Sequence, residues 1–112
     1  MQGLMQDTPL TLPHFFHRAE RLFPDKAVVT ATATGIDRST YGEWADRTRR
    51  LGGVLDQLGL SEDARVGTFG WNTARHLELY FAAPCTGRVL HTLNIRLFPE
   101  QLTYIVNHAE DE

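Results

Sequence analysis

The sequence predicts an α/β fold, and three observations carry that prediction. The run KAVVTATATGIDRST alternates Val, Thr and Ala around a glycine, the pattern of a β-hairpin. The run RVGTFGWNTARHLELYFAAPCTGRVLHTLN reads as strand, helix and strand, a length that implies a right-handed parallel crossover. Helical periodicity before, between and after these units supplies covering helices.

The first helix is expected in TLPHFFHRAERLF. Leu12, Phe15, Phe16, Ala19, Leu22 and Phe23 recur on one arc for packing, with Thr11 as the cap and Pro13 in the first turn. His14, His17, Arg18 and Arg21 form the wet face. His14 and His17 stand at i, i+3, but neighbouring arginines repel a cation and no third ligand is apparent, so this is a solvated face. In the hairpin, Gly35 supplies the turn and Ile36 to Ser39 return as the antiparallel mate.

Thr40 and Glu43 have capping-box spacing at the start of the next helix. That helix should bury Tyr41, Trp44, Ala45, Leu51, Leu55 and Leu58, with Glu43–Arg47 and Asp46–Arg50 as i, i+4 pairs outside. Gly59 and Leu60 read as its left-handed terminator and the apolar contact that follows. Val66 to Phe69 form the first crossover strand. Asn72 is expected to cap the crossover helix, at a cost of about 1 kcal/mol on replacement by Ala. The helix reads as apolar all round from Leu77 to Ala83. Pro84 should kink or end it, Gly87 closes it, and Val89 to Leu93 form the second strand.

Composition narrows function. The chain has 112 residues, 42% hydrophobic and 22% charged, with a net charge of -3, which suits one soluble core. Ten Arg and one Lys are scattered among acids, so no basic patch points to nucleic acid. Lone Cys85 excludes an internal disulfide and a thiolate zinc cluster, and fits a cytoplasmic location. No apolar run is long enough to span a membrane, and MQGLMQDTPL lacks signal-peptide character.

Gly67 and Gly70 before a helix suggest a phosphate cradle, yet GTFG matches neither the GxGxxG nor the GxxxxGK[ST] spacing, so close strand packing is the better reading. His76, Glu78 and His91 stand at no metal-pair or nucleophile–base spacing. No residue is assigned a catalytic, cofactor-binding or metal-ligating role.

The order TYGEWADRTRRLGGVLDQLGL, RVGTFGWN, a helix ending in TG, VLHTLNIRL and PEQLTYIVNHAED resembles the N-terminal segment of the adenylate-forming acyl-CoA synthetases. The likeness is closest to the long- and medium-chain fatty acid branch, and covers nearly all of the chain after residue 10. It implies a parent enzyme that activates a fatty acid with ATP and Mg2+ through an acyl-adenylate and transfers it to coenzyme A. The family's phosphate-holding Ser/Thr/Gly-rich loop with its lysine has no counterpart, Lys26 lying beside the hairpin. The resemblance therefore implies a single incomplete domain over residues 1–112, inactive and cofactor-free by itself, cut just before a strand beginning near Glu112. Residues 1–10 read as a flexible arm.

Within the match, Phe98 stands where the family tends to place Ser or Thr before Pro99, so a side-chain cap is missing. Asn94 and Arg96 match its LNxRL pattern and read as loop architecture, Asn94 tying down a turn and Arg96 bonding nearby carbonyls. A parallel sheet lacking its further strands should leave an apolar patch and favour a homodimer, joined by edge pairing, by helix packing around Phe98 to Ala109, or by exchange of the arm Met1 to Leu12. Two other readings stand beside this one. A free-standing interaction or dimerisation module would keep the fold without catalysis, and a small nucleotide-binding domain would bind ATP measurably.

Overall fold

A computed structural model describes residues 3–4 and 7–112. The arm expected over residues 1–10 includes residues 1, 2, 5 and 6, which lie outside the described residues. Helix α1 (Leu12–Leu22) leads into the antiparallel pair β1 (Ala27–Thr32) and β2 (Gly35–Thr40). Helix α2 (Tyr41–Gln57) follows directly. Strand β3 (Arg65–Phe69), helix α3 (Ala74–Cys85) and strand β4 (Val89–Leu93) form the crossover, β3 and β4 pairing in parallel from Arg65↔Val89 to Phe69↔Leu93. Helix α4 (Pro99–Ala109) closes the order.

Two apolar clusters hold the chain, and α3 belongs to both. Phe16, Val28, Trp44 and Ala45 form the first, with Leu77 and Phe81 of α3 against them. Leu55, Val66, Ala82 and Ala83 form the second, with Leu51, Leu60 and Leu90. A helix touching neighbours on two sides must be apolar on two sides, which explains the run Leu77 to Ala83. Trp44 is the hub of the first cluster, its ring centroid 5.1 Å from Phe16 and 5.0 Å from Phe81. Where α2 meets α3, a Cβ on Gly52 would lie 2.9 Å from the Thr86 methyl, so this crossing needs glycine.

The local signals work as the sequence implied at several points. Thr40 Oγ1 accepts from the Glu43 amide at 3.2 Å, and Glu43 returns the bond to the Thr40 amide at 2.8 Å. Val28 and Thr30 face in while Val29 faces out, the alternation of a half-covered strand. Gly59 adopts φ +73°, the left-handed terminator. Gly87 does the same after α3 at φ +81°, with Arg88 N–H reaching Ala83 O at 2.9 Å past Pro84.

Other expectations are corrected. Of the α1 arc only Phe16 is buried, while Phe15 is 66% exposed and Leu12, Leu22 and Phe23 also face outward. α1 packs on α2 and α3 along one narrow line, where half-buried Ala19 joins Phe16, while Leu12, Phe15, Leu22 and Phe23 stay outside the contact. Thr11 sits at the N-cap position without a side-chain bond to the helix. Leu58 at the end of α2 is exposed, and its place in the stripe is taken by Thr48 and Gly52. Arg47 pairs with Glu78 instead of Glu43, and Asp46 and Arg50 form no ion pair among the described residues.

Asn72 does not cap α3. The helix begins two residues later, and the Ala74 amide donates to Thr30 Oγ1 on β1 at 3.0 Å. The cap is thus supplied from 44 residues away. Thr30→Val should cost about 1 kcal/mol by leaving that amide without a partner, whereas Asn72→Ala should change stability by under about 0.5 kcal/mol. Thermal melts of the two variants check this, and equal losses would restore Asn72 as the cap.

Candidate functional site

Two polar constellations stand out, and each joins residues far apart in sequence. The first lines an open cleft of about 590 Å³ between the hairpin, α2 and the start of α3. Val28, Thr30 and Arg38 form one wall, Asp46, Arg47 and Arg50 another, and Ala74, Arg75 and Glu78 the third. Glu78 is the centre: its side chain is 8% exposed, and its Oε1 accepts from Arg47 Nε at 2.6 Å. Arg75 Nη1 stands 3.7 Å from the same oxygen. A carboxylate buried this far must be paired, and the two guanidinium groups provide that. Asp37 and Glu43 also line it, so four acids balance four arginines and the cleft presents no single-sign field to attract one ligand class.

Behind it lies a buried hydroxyl–imidazole contact. Thr68 Oγ1 is 3.0 Å from His76 Nε2 and donates to His91 O at 3.4 Å. A hydroxyl that donates to His91 O accepts from Nε2–H, and the buried Nδ1 of His76 is left without a partner. His76 is thereby a core histidine.

The second constellation ties the end of α4 to both crossover strands. His91 Nδ1 lies 2.8 and 2.9 Å from the two carboxylate oxygens of Asp111, whose side chain is 5% exposed. Asp111 lies over Gly67, where a Cβ would come within 3.0 Å of its Oδ2. Glu112 N–H donates to Arg65 O at 2.8 Å, its carboxylate accepts from the Ser61 amide at 3.1 Å and from the Ser61 hydroxyl, and Arg65 Nη1 donates to Ala109 O at 2.9 Å. The imidazole–carboxylate pair has the form of a base and its orienter, but among the described residues no hydroxyl or thiol bonds to the imidazole, so the pair works as a clamp.

This geometry also answers the phosphate question at Gly67. An anionic carboxylate occupies the space over that glycine, and the first free amide of α3 is already bonded to Thr30. The space over Gly67 and the Ala74 amide are thus taken up by the protein's own groups. Among the described residues no group of three His, Cys, Asp or Glu side chains converges to hold a metal. Burial pushes the Cys85 thiol above its ordinary range, so it is a poor nucleophile. Asn94 Oδ1 accepts from the Arg96 amide at 3.0 Å, tying down the turn as expected. Arg96 itself is exposed and its guanidinium bonds no carbonyl among the described residues. Phe98 caps nothing, and only half a capping box forms, through Gln101 Oε1 and the Phe98 amide at 3.1 Å.

Two carboxylates are held below their ordinary range, Glu20 by the hydrogen bond from Arg49 and Glu112 by those from Ser61. A depressed carboxyl contributes stability that is complete above its unfolded value near 4.5 and is lost as pH falls through the folded one. The melting temperature should therefore fall on acidification from about pH 6 to about pH 3, and less steeply in Glu20→Gln/Glu112→Gln. The Glu20–Arg49 pair is partly exposed, so its share is under about 1 kcal/mol. Identical slopes in the two proteins would contradict the assignment.

The hairpin, the capped helix and the parallel crossover define a known architecture. The solved structure of IdnL1 superposes with a TM-score of 0.82 at 20% identity over 95% of this chain and 22% of its own, a likeness of fold. In sequence, the family model described as AMP-binding enzyme matches residues 15–112, and the chain belongs to that family. It is 50% identical over 109 residues to the long-chain-fatty-acid–CoA ligase of Thermus thermophilus, covering 96% of this chain and 20% of that one. It is 45% identical over 112 residues to the 3-methylmercaptopropionyl-CoA ligase of Ruegeria lacuscaerulensis, covering 99% of this chain and 21% of that one. It is 40% identical over 113 aligned residues to the medium-chain-fatty-acid–CoA ligase of Ectopseudomonas oleovorans, covering 100% and 21%. The chain spans about a fifth of the length of the curated relatives it matches.

Proposed function

We propose that this chain is the N-terminal segment of a fatty acid–CoA ligase. The whole enzyme activates a fatty acid with ATP and Mg2+ through an acyl-adenylate and passes the acyl group to coenzyme A. One observation carries the reading: identities of 40–50% to acid–CoA ligases run along practically the whole chain. The segment's role is architectural: Arg47 pairs Glu78 across α2 and α3, and His91 pairs Asp111 across the crossover, bonds that hold the fold together. ATP-dependent formation of fatty acyl-CoA by the product of the complete reading frame tests the proposal. Pyrophosphate exchange by the 112-residue chain alone, abolished by a substitution within it, would oppose the architectural role.

The segment's surface supports self-association. Phe69, Trp71, Val89, Phe98 and Tyr104 are all more than half exposed, and α4 buries none of its residues. Covering such faces with a second copy removes apolar area from water. The isolated chain should be a dimer or larger at micromolar concentration. Light scattering behind size exclusion checks this, and a 12.7 kDa species at high concentration would refute it. No helix among the described residues is long and apolar enough to cross a membrane. With a single cysteine, the cytoplasm is the compartment we assign.

A further inference from the structure

Helix α1 carries an apolar stripe that the fold leaves uncovered. Its packing line on the body is Phe16, with half-buried Ala19 beside it. At about 3.6 residues per turn, Phe15 and Leu22 stand one above the other on a line turned away from Phe16, and Leu12 and Phe23 fall between that line and the core. Phe15 is 66% exposed and Leu22 57%, and Leu10 extends the stripe ahead of the helix.

The free charges that border this stripe are mostly of one sign. Arg18 and Arg21 flank its outer side, Lys26 follows just past the helix, and none of the three forms an ion pair among the described residues. Arg18 Cζ and Lys26 Nζ lie 5.9 and 6.0 Å from the centre of the exposed Phe23 ring. Of the acids between residues 12 and 26, Glu20 is bonded to Arg49 on α2, which leaves Asp25 alone to oppose the three cations. The chain as a whole carries a net charge of -3, so this positive face is a local arrangement and not a reflection of composition.

We propose that α1 is a peripheral membrane contact. It lies in the headgroup plane of a bilayer containing anionic lipid, with Leu12, Phe15, Leu22 and Phe23 at the acyl boundary and Arg18, Arg21 and Lys26 on the lipid phosphates. A helix with an apolar face and flanking cations binds such a surface by both terms together, apolar burial and attraction to anionic headgroups. Long basic side chains beside apolar ones keep their charge at headgroup level while their stems lie along the apolar surface. The 11 residues of α1 are already held helical against the body through Phe16, so docking orders no new segment. No helix among the described residues is long and apolar enough to cross a membrane, which makes the contact a surface one. The sign of the charge separates this face from α4, which exposes Phe98 and Tyr104 but is bordered by Glu100 and Glu110 without Lys or Arg. The contact stands on α1 alone and is independent of the ligase reading.

Vesicle co-sedimentation of the complete reading-frame product tests the proposal. The protein should sediment with phosphatidylcholine vesicles containing about 30 mol% phosphatidylglycerol about tenfold or more better than with phosphatidylcholine alone, and lose that preference in concentrated salt. Phe15→Ser/Leu22→Ser should lower binding to the anionic vesicles about tenfold or more. Arg18→Glu/Arg21→Glu should bring it down to the level seen with neutral lipid. Both pairs of residues are exposed, so each variant should melt at the parent temperature, which separates lost docking from lost fold. Absence of sedimentation with the anionic vesicles would overturn the proposal, as would parental binding by Phe15→Ser/Leu22→Ser. So would a dimer in light scattering that this double variant abolishes without any vesicle binding by the parent, since a second copy would then cover the stripe.

Discussion

Trp44→Ala is expected to destabilise the chain by about 3–5 kcal/mol, the largest single effect in the molecule. The indole is 4% exposed and contacts Phe16, Tyr41 and Phe81, so its removal opens a cavity where α1, α2 and α3 meet. α1 packs on the body along little else, and should detach first. Against a total stability of about 5–15 kcal/mol the loss would leave much of the protein unfolded near 37 °C. Trp44→Phe should cost less than half as much, because it keeps most of the ring contacts and removes an indole N–H that has no partner in the core. Urea denaturation followed by circular dichroism measures both. Equal midpoints for Trp44→Ala and the parent would refute the hub role.

Arg47→Ala is the second large effect, at about 2–3 kcal/mol. Arg47 is 44% exposed and Glu78 only 8%, so the two partners lose unequal amounts when the other is removed. Taking away the arginine strands a buried carboxylate with only Arg75, at 3.7 Å, to compensate. Taking away the charge of Glu78 by substitution with Met leaves an arginine that water can solvate, and fills the space with an apolar chain of similar size. Glu78→Met should therefore cost under about 1 kcal/mol. The same denaturation experiment ranks the two variants. A larger loss for Glu78→Met would contradict the account of the cleft as an ion pair serving packing.

The contrast between these two residues shows what was legible in the sequence. Trp44 announces itself by helical spacing after a capping box, because periodicity reports which face of a helix is apolar. The hairpin, the crossover and both glycine terminators are local in the same sense, and the structure has them. Glu78 lies in a mostly apolar helix and gives no local sign of its partner, since Arg47 is 31 residues earlier and has Glu43 at i, i+4 spacing beside it. The cap of α3 fails for the same reason: a side-chain cap is a local expectation, yet Thr30 arrives through the hairpin. His91 and Asp111, 20 residues apart, meet only because the crossover lays β4 beside β3 and α4 returns its last residues to the far side. Periodicity also overstates burial where a helix packs along a narrow line, as with Phe15 and Leu22. One signal was available for the clamp: a glycine inside a strand, Gly67, marks a close approach, and the approaching group is Asp111.

The central claim is that these residues are the opening of an acid–CoA ligase whose catalytic machinery lies elsewhere in a longer polypeptide. The nucleotide sequence read in frame past the codon for Glu112 tests it most directly. The account predicts an apolar, β-branched stretch immediately after that codon, followed further on by a Ser/Thr/Gly-rich segment containing a lysine. A stop codon directly after Glu112 in the natural gene would contradict it.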